Sequence, residues 1–132
     1  MAKKEIIYTA KSFPPRGPYA QAIKVSEART TIYTGTITAL DVDWNVVGVG
    51  DIREQTRVTI ENLKHILEAA GATLADVVKT NWYLVNIAHM PIVAEVRNEM
   101  FQGAVPASGT IPINHLYYPE LLLEMDAIAI ID

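Results

Sequence analysis

The chain has 132 residues, of which half are apolar and a fifth are charged, with a formal net charge of −4 and no cysteine. This length and composition predict one globular domain spanning residues 1–132, large enough to bury a core. The acidic balance argues against nucleic-acid and membrane partners, and the lack of cysteine excludes disulfides and thiolate chemistry. The N-terminus has no signal-peptide pattern, so we expect a cytoplasmic protein.

The first third of the chain is predicted to consist of strands interrupted by a rigid loop. Residues 5–9 are mostly β-branched or aromatic, as in an opening strand. Three prolines and a glycine within residues 12–19 exclude a helix or a central strand there. Residues 20–25 and 30–38 then predict a hairpin closed by a short polar turn. Gly35 in its second strand indicates either a bulge or a place where another group approaches the backbone closely.

Two amphipathic helices follow, separated by a strand. Asp51 is predicted to cap the first helix with Glu54 completing a capping-box pattern, and Gly71 is predicted to end it. Pro91 fits the first turn of the second helix, which should run to about Phe101. The predicted apolar faces are Ile52, Thr56, Thr59, Leu63, Ile66, Leu67 and Ala70 on the first helix, and Val93, Val96 and Met100 on the second.

The remaining strands complete the order β-β-β-α-β-α-β-β. They are predicted at residues 77–85, 110–116 and 121–131, and alternation places Trp82 and Tyr83 on opposite faces of the first of them. Two helices can cover only one face of the resulting six-stranded mixed sheet. We therefore expect the other face to pack against another copy of the chain.

Standard catalytic and cofactor motifs are missing from the sequence. The three histidines lack metal-binding spacing, and there is no glycine-rich phosphate loop or Gly-x-Ser-x-Gly elbow. We therefore predict no metal and no cofactor. Two acids, Glu124 and Asp126, lie in an otherwise apolar strand, where an ionised carboxylate must reach water, find a partner or take part in chemistry.

Four segments resemble the Rid family, also called YjgF/YER057c/UK114. They are GPYAQAI at residues 17–23, IYTG at 32–35, the helix signature within 55–72 and LLLEMDAIA at 121–129. The resemblance implies a chorismate-mutase-like α+β subunit that forms a homotrimer. It also implies a small-molecule site in clefts between adjacent subunits and enamine/imine deaminase chemistry.

The same resemblance assigns site residues and shows one departure. It implies that Glu124 positions or activates the attacking water, and that the pocket is lined by Tyr19, Thr34, Gly35 and Thr110. The arginine by which the family clamps a substrate carboxylate is replaced by Ser108, and an asparagine common on the second helix is replaced by Ala94. No sequence neighbour of Ser108 restores the charge. Arg16 either compensates for it or is an exposed loop residue.

Two functions remain open from the sequence. The first is a hydrolase or deaminase that acts on a reactive enamine, imine or related small metabolite, with specificity altered by Ser108. The second is a non-catalytic small-molecule-binding or regulatory trimer in which Glu124 is a structural acid. The endoribonuclease label also attached to this family is disfavoured, because the chain is acidic and has no basic stripe with interleaved aromatic residues.

Overall fold

The computed structural model describes residues 2–17 and 19–132, so Pro18 of the proline-rich segment lies outside the described residues. The elements in chain order are β1 (Lys3–Ile7), β2 (Ala22–Ser26), β3 (Thr30–Tyr33), β4 (Ile37–Thr38), α1 (Ile52–Ala69), β5 (Val77–Leu84), α2 (Met90–Phe101), β6 (Ala107–Pro112) and β7 (Leu123–Ile131). Single 3-10 turns, Leu74–Asp76 and Ile87–His89, precede β5 and α2.

The predicted α+β class is confirmed. In the main sheet the strand order is β3-β7-β5-β6, with β4 also paired to β7. The β5–β6 pair is parallel and the other pairs are antiparallel, which makes the sheet mixed. The two helices pack against each other and cover one face, with Trp82 fully buried between them and the sheet.

The N-terminal strands differ from the prediction in their pairing. Among the described residues the main sheet has five strands rather than six, and β1 and β2 form a separate two-stranded ribbon. The predicted hairpin between β2 and β3 is wrong, because β2 pairs with β1 while β3 pairs with β7, Thr30 opposite Ile131. Glu27, which follows β2, has a left-handed φ of 57° and lies where the chain leaves the ribbon.

Of the two alternatives predicted at Gly35, the bulge is confirmed. β3 and β4 both pair with β7, but their register shows one extra residue between Tyr33 and Ile37. Thr34 closes the gap: its N–H donates to the Ala127 carbonyl at 2.9 Å, and its Oγ1 accepts the Ala127 N–H at 2.9 Å. The bulge is therefore held by a side chain in place of a regular ladder bond.

Both helices start where predicted, but Glu54 does not complete the predicted capping box, because its carboxylate binds the Arg57 guanidinium at 2.9 and 2.7 Å. The Asp51 carboxylate accepts the Glu54 N–H at 3.1 Å and caps α1. After the cap at Ala70 the chain turns through Gly71, whose φ of +81° favours glycine. α2 begins one residue before Pro91, which occupies its first turn.

The buried face of α1 differs from the prediction. Ile66 and Ala70, predicted on the buried face, are exposed, whereas Gln55 is fully buried. The Gln55 amide donates to the carbonyls of Gly48 (3.1 Å) and Glu120 (2.8 Å) and accepts the Leu122 N–H (2.9 Å). α1 therefore fixes the chain immediately before β7.

β6 begins at Ala107, three residues earlier than predicted, and ends at Pro112. It starts earlier because it pairs in parallel with β5, which places Ser108 opposite Thr80. Ser108 and Thr110 are consequently strand residues with fixed orientations. This pairing decides which side of the sheet each of them faces.

Candidate active site

The sheet divides the predicted site residues between its two faces. Ser108 lies opposite Thr80, which is fully buried beneath the helices. Glu124 lies opposite Tyr83, three residues further along β5, so its side chain points to the helix-free face. Within one chain, Ser108 and Glu124 are therefore separated by the sheet.

A cavity of about 530 Å³ lies on the helix side, between α2, β6 and the loop before β2. Its polar lining consists of Arg16, Tyr19, Arg97, Ser108 and Thr110, and the rest is apolar or glycine, including Ala94. Four of the residues proposed from the sequence thus share one space. No carboxylate is among the lining residues, so the cavity is positively charged.

Arg97 is the residue that the sequence analysis missed. It is only 4% exposed, and its Nη1 lies 3.4 Å from Ser108 Oγ. Burial lowers the pKa of Arg97 and the nearby Tyr19 phenol opposes this shift, but a guanidinium keeps its charge in proteins. The signal was its position one turn beyond Val93 on the apolar stripe of α2, where a charged residue is unexpected.

A chain of hydrogen bonds orients the Ser108 hydroxyl. Trp82 Nε1 donates to Thr80 Oγ1 at 3.2 Å, and Thr80 donates onward to Ser108 Oγ at 2.9 Å. Arg97 Nη1 donates to the same oxygen. Ser108 Oγ thus accepts from both Thr80 and Arg97, and its own proton, used in neither bond, can be donated to a group in the cavity.

The other residues of this cavity are placed less firmly. The Tyr19 hydroxyl accepts the Arg16 N–H at 3.2 Å, which ties the phenol to the loop. Arg16 itself is exposed, on the cavity wall formed by this loop. Thr110 Oγ1 donates to Met90 Sδ at 3.4 Å, at the start of α2.

Glu124 borders a second hollow, of about 420 Å³, at the edge of the sheet formed by β4, where Asn62 and Ile66 of α1 also contribute to the lining. The hollow is bounded by Thr38 and Asn62 and by the exposed rings of Trp44 and Tyr117, whose centroids are 5.5 Å apart. Glu124 is half-buried, and within residues 2–17 and 19–132 no hydrogen bond or ion pair reaches its carboxylate. Burial raises the pKa of Glu124, and the charge on Asp126 raises it further.

Asp126 differs from its neighbour because its carboxylate is fully engaged. It accepts Asn81 Nδ2 at 2.7 Å and the Tyr83 hydroxyl at 3.0 Å. This hydrogen bond is the main cause that raises the pKa of Tyr83. Asp126 is therefore a fixed structural acid, whereas Glu124 is available for a ligand or a water molecule.

Thr34 and Gly35 line neither space within the chain. The Thr34 hydroxyl is used in the hydrogen bond that closes the β bulge. Thr36, two residues further along the chain, does line the hollow beside Glu124. Across the part of the chain that the structure describes, no group of three or more histidine or acidic side chains could hold a metal ion. No helix in that part is long and apolar enough to cross a membrane.

The sequence matches the profile of the family described as Endoribonuclease L-PSP over residues 9–131. The fold and the sequence together define an α+β protein of this class. The chain belongs to this family, which is also known as YjgF or Rid.

Individual relatives cover almost the whole chain. A RutC family protein of Pyrococcus abyssi is 41% identical over 126 residues, 96% of each chain. A 2-iminobutanoate/2-iminopropanoate deaminase of Dermatophagoides farinae is 33% identical over 132 residues, 100% of each chain. The crystal structure of YyfB from Yersinia pestis, a Rid family protein of unknown function, superposes with a TM-score of 0.87 at 30% identity, covering 97% of this chain and 98% of that one.

Proposed function

We propose that this chain is a deaminase-type hydrolase that adds water to a small enamine- or imine-bearing metabolite. The observation that carries the proposal is the state of Glu124, a half-buried carboxylate without a partner that faces an open hollow. Its raised pKa makes it a stronger base than an exposed glutamate. The similarity to the Dermatophagoides farinae deaminase over the full chain supports this class of reaction.

The chemistry requires little apparatus. An enamine tautomerises to an imine, which takes up a proton to become an iminium ion. Water adds to the iminium carbon while Glu124 accepts a proton from that water, which gives a neutral carbinolamine. Glu124 returns this proton to the nitrogen, the carbon–nitrogen bond breaks and ammonia leaves, while the carbinol hydroxyl loses its proton to become the carbonyl. The products are a carbonyl compound and ammonia, so no oxidant or cofactor is consumed.

The active form in this proposal is a cytoplasmic homotrimer with small-molecule clefts between neighbouring subunits. A single chain holds Glu124 and the helix-side cavity on opposite faces of its sheet, so one subunit would supply each half. Glu124, Thr34 and Gly35 would come from one subunit. Tyr19 and Thr110 would come from its neighbour.

The specificity of the enzyme is proposed to differ from that of relatives with a strand arginine, because Ser108 removes the guanidinium from that position. Ser108 and Ala94 also support the second candidate, a non-catalytic ligand-binding or regulatory trimer. The two candidates differ in whether Glu124 moves a proton. That difference can be measured directly.

The test uses purified protein and enzymatically generated 2-iminobutanoate, 2-iminopropanoate or 3-aminoacrylate. Release of ammonia is followed over time, together with the keto acid formed from the first two substrates or the aldehyde formed from the third. The wild type should accelerate release, and Glu124→Gln should reduce the acceleration by about 10²–10⁴-fold, the usual contribution of a general base. The exposed Glu68→Gln is the matched control. If the wild type accelerates none of these reactions and a metabolite co-purifies with it, the binding function is correct.

A further inference from the structure

The helix-side cavity contains a buried cation that lacks an anion. Arg97 is 4% exposed, and the ion pairs among the described residues all involve other cations. A buried charge is costly unless it is paired and hydrogen-bonded. Ser108, its one hydrogen-bond partner in the described part of the chain, is neutral. The position therefore calls for an anion from outside the chain.

The donors of Arg97 are open to such an anion. Among the described side chains, the one fully enclosed polar atom without a hydrogen bond is His89 Nδ1. The guanidinium nitrogens that do not bind Ser108 are therefore not fully enclosed by the protein, and Arg97 is one of the residues that line the cavity. Ser108 lines the same space, and the neighbouring Met90 and Pro91 give it apolar walls, beside which polar contacts are stronger than in bulk water.

We propose that Arg97 is the carboxylate-binding residue of this protein. Its guanidinium, carried by α2, lies beside Ser108 of β6, the position at which relatives of the family carry the arginine. A planar carboxylate can take two parallel N–H bonds from the guanidinium and a third from the Ser108 hydroxyl. The ligand class is a small 2-oxo, 2-imino or 2-enamine monocarboxylate. The reaction part of this assignment rests on the proposed deaminase function, whereas carboxylate binding does not require turnover.

The experiment uses 2-oxobutanoate, the stable keto acid formed when 2-iminobutanoate is hydrolysed, titrated calorimetrically into the full chain. Arg97→Met should weaken its binding by about tenfold or more. Arg97→Lys should weaken it less, because lysine keeps the positive charge but not the paired N–H donors of the guanidinium. Arg53→Gln, which removes an exposed arginine paired to Glu95 on α2, should bind as the wild type does. The affinity for 2-butanone, which lacks the carboxylate, should not change in Arg97→Met.

Two further measurements separate a binding role from a structural one. Arg97→Met should keep its thermal midpoint, since methionine fills a similar space without an unpaired buried charge. If it fails to fold, Arg97→Lys still reports on the affinity. In the double variant Arg97→Met/Ser108→Arg, the guanidinium returns from the strand and should recover 2-oxobutanoate binding.

The inference is overturned if the wild type does not bind 2-oxobutanoate, or if Arg97→Met and Arg97→Lys bind it as tightly as the wild type. Its failure is distinct from that of the deaminase function. Binding that depends on Arg97 without ammonia release would refute the reaction and leave the carboxylate site standing. Ammonia release that is unaffected in Arg97→Met would refute the carboxylate site and leave the deaminase function standing.

Discussion

The two faces of the sheet carry opposite charges, and neither charge has an oppositely charged partner in the part of the chain that the structure describes. On the helix side, Arg97 is a buried cation with no carboxylate around it. On the helix-free side, Glu124 is a half-buried carboxylate with no cation around it. Charges placed for stability would be paired, because burying each of them alone is unfavourable. This difference is what we expect if each face is one half of the proposed site, which is completed from outside the chain.

The two halves also differ in how rigidly they are held. Asp126 beside Glu124 is fixed by Asn81 and Tyr83, and Gln55 fixes the chain just before β7. The helix-side cavity has instead one wall made from the exposed loop around Arg16. The Glu124 side is therefore held by a hydrogen-bonded framework, whereas one wall of the Arg97 side is an exposed loop.

Subunit complementation tests this division with the largest expected effect. Glu124→Gln and Arg97→Met chains should each be nearly inactive on an iminocarboxylate when assembled alone. After the two are unfolded, mixed in equal amounts and refolded together, about a quarter of the sites in a random cyclic assembly should combine an intact Glu124 with an intact Arg97. Ammonia release should recover to about that fraction of the wild-type rate.

The matched control mixes Glu124→Gln with the double variant Glu124→Gln/Arg97→Met, a pair that can form no intact site. It should remain inactive after the same refolding. A mixture of the two single variants that stays as inactive as this control would show that both residues must come from one chain, against the division between the faces.

Gln55→Leu tests whether the Glu124 half depends on α1. The substitution leaves buried backbone groups of Gly48, Glu120 and Leu122 without partners, and we expect a loss of about 2–3 kcal/mol in the free energy of unfolding. Denaturant titration measures the loss, with Lys64→Leu at an exposed position of the same helix as control. Binding of 2-oxobutanoate to the remaining folded protein should be retained, because the cavity does not include this segment. Unchanged stability would show that the three hydrogen bonds do not hold the segment.

Much of the fold could be predicted from local sequence because the signals were local. Asp51 and Pro91 mark helix starts by capping and by ring geometry, and Gly35 marks a bulge that the register confirms. Strand partners are a long-range property. Nothing in the sequence of β2 distinguishes β1 from β3 as its neighbour, so the predicted hairpin was wrong.

The cavity shows the same limit at the level of the site. Ser108 could be identified as a missing charge because a motif surrounds it, but Arg97 is eleven residues away and on another element. The contact between Arg97 and Ser108 depends on how α2 packs beside β6, which the sequence alone does not give. A charged residue on the apolar stripe beside Val93 and Val96 was the one sequence signal available, and it indicates burial without naming a partner.

Asp126→Asn gives the smallest effect and tests the electrostatics of the Glu124 half alone. Burial is the larger cause of the raised pKa of Glu124 and remains in the variant, whereas the repulsion from Asp126 is removed. The pKa of Glu124 should fall but stay above its ordinary value, because the larger cause is unchanged. Because a base must be ionised to accept a proton, the acidic limb of the pH profile of kcat/KM should move to lower pH by the same amount.

The control is Asp43→Asn, at an exposed and remote position, which should leave the acidic limb in place. A limb that does not move in Asp126→Asn would mean that a group other than Glu124 controls the reaction, since no change at Asp126 can leave a carboxylate beside it electrostatically unaffected.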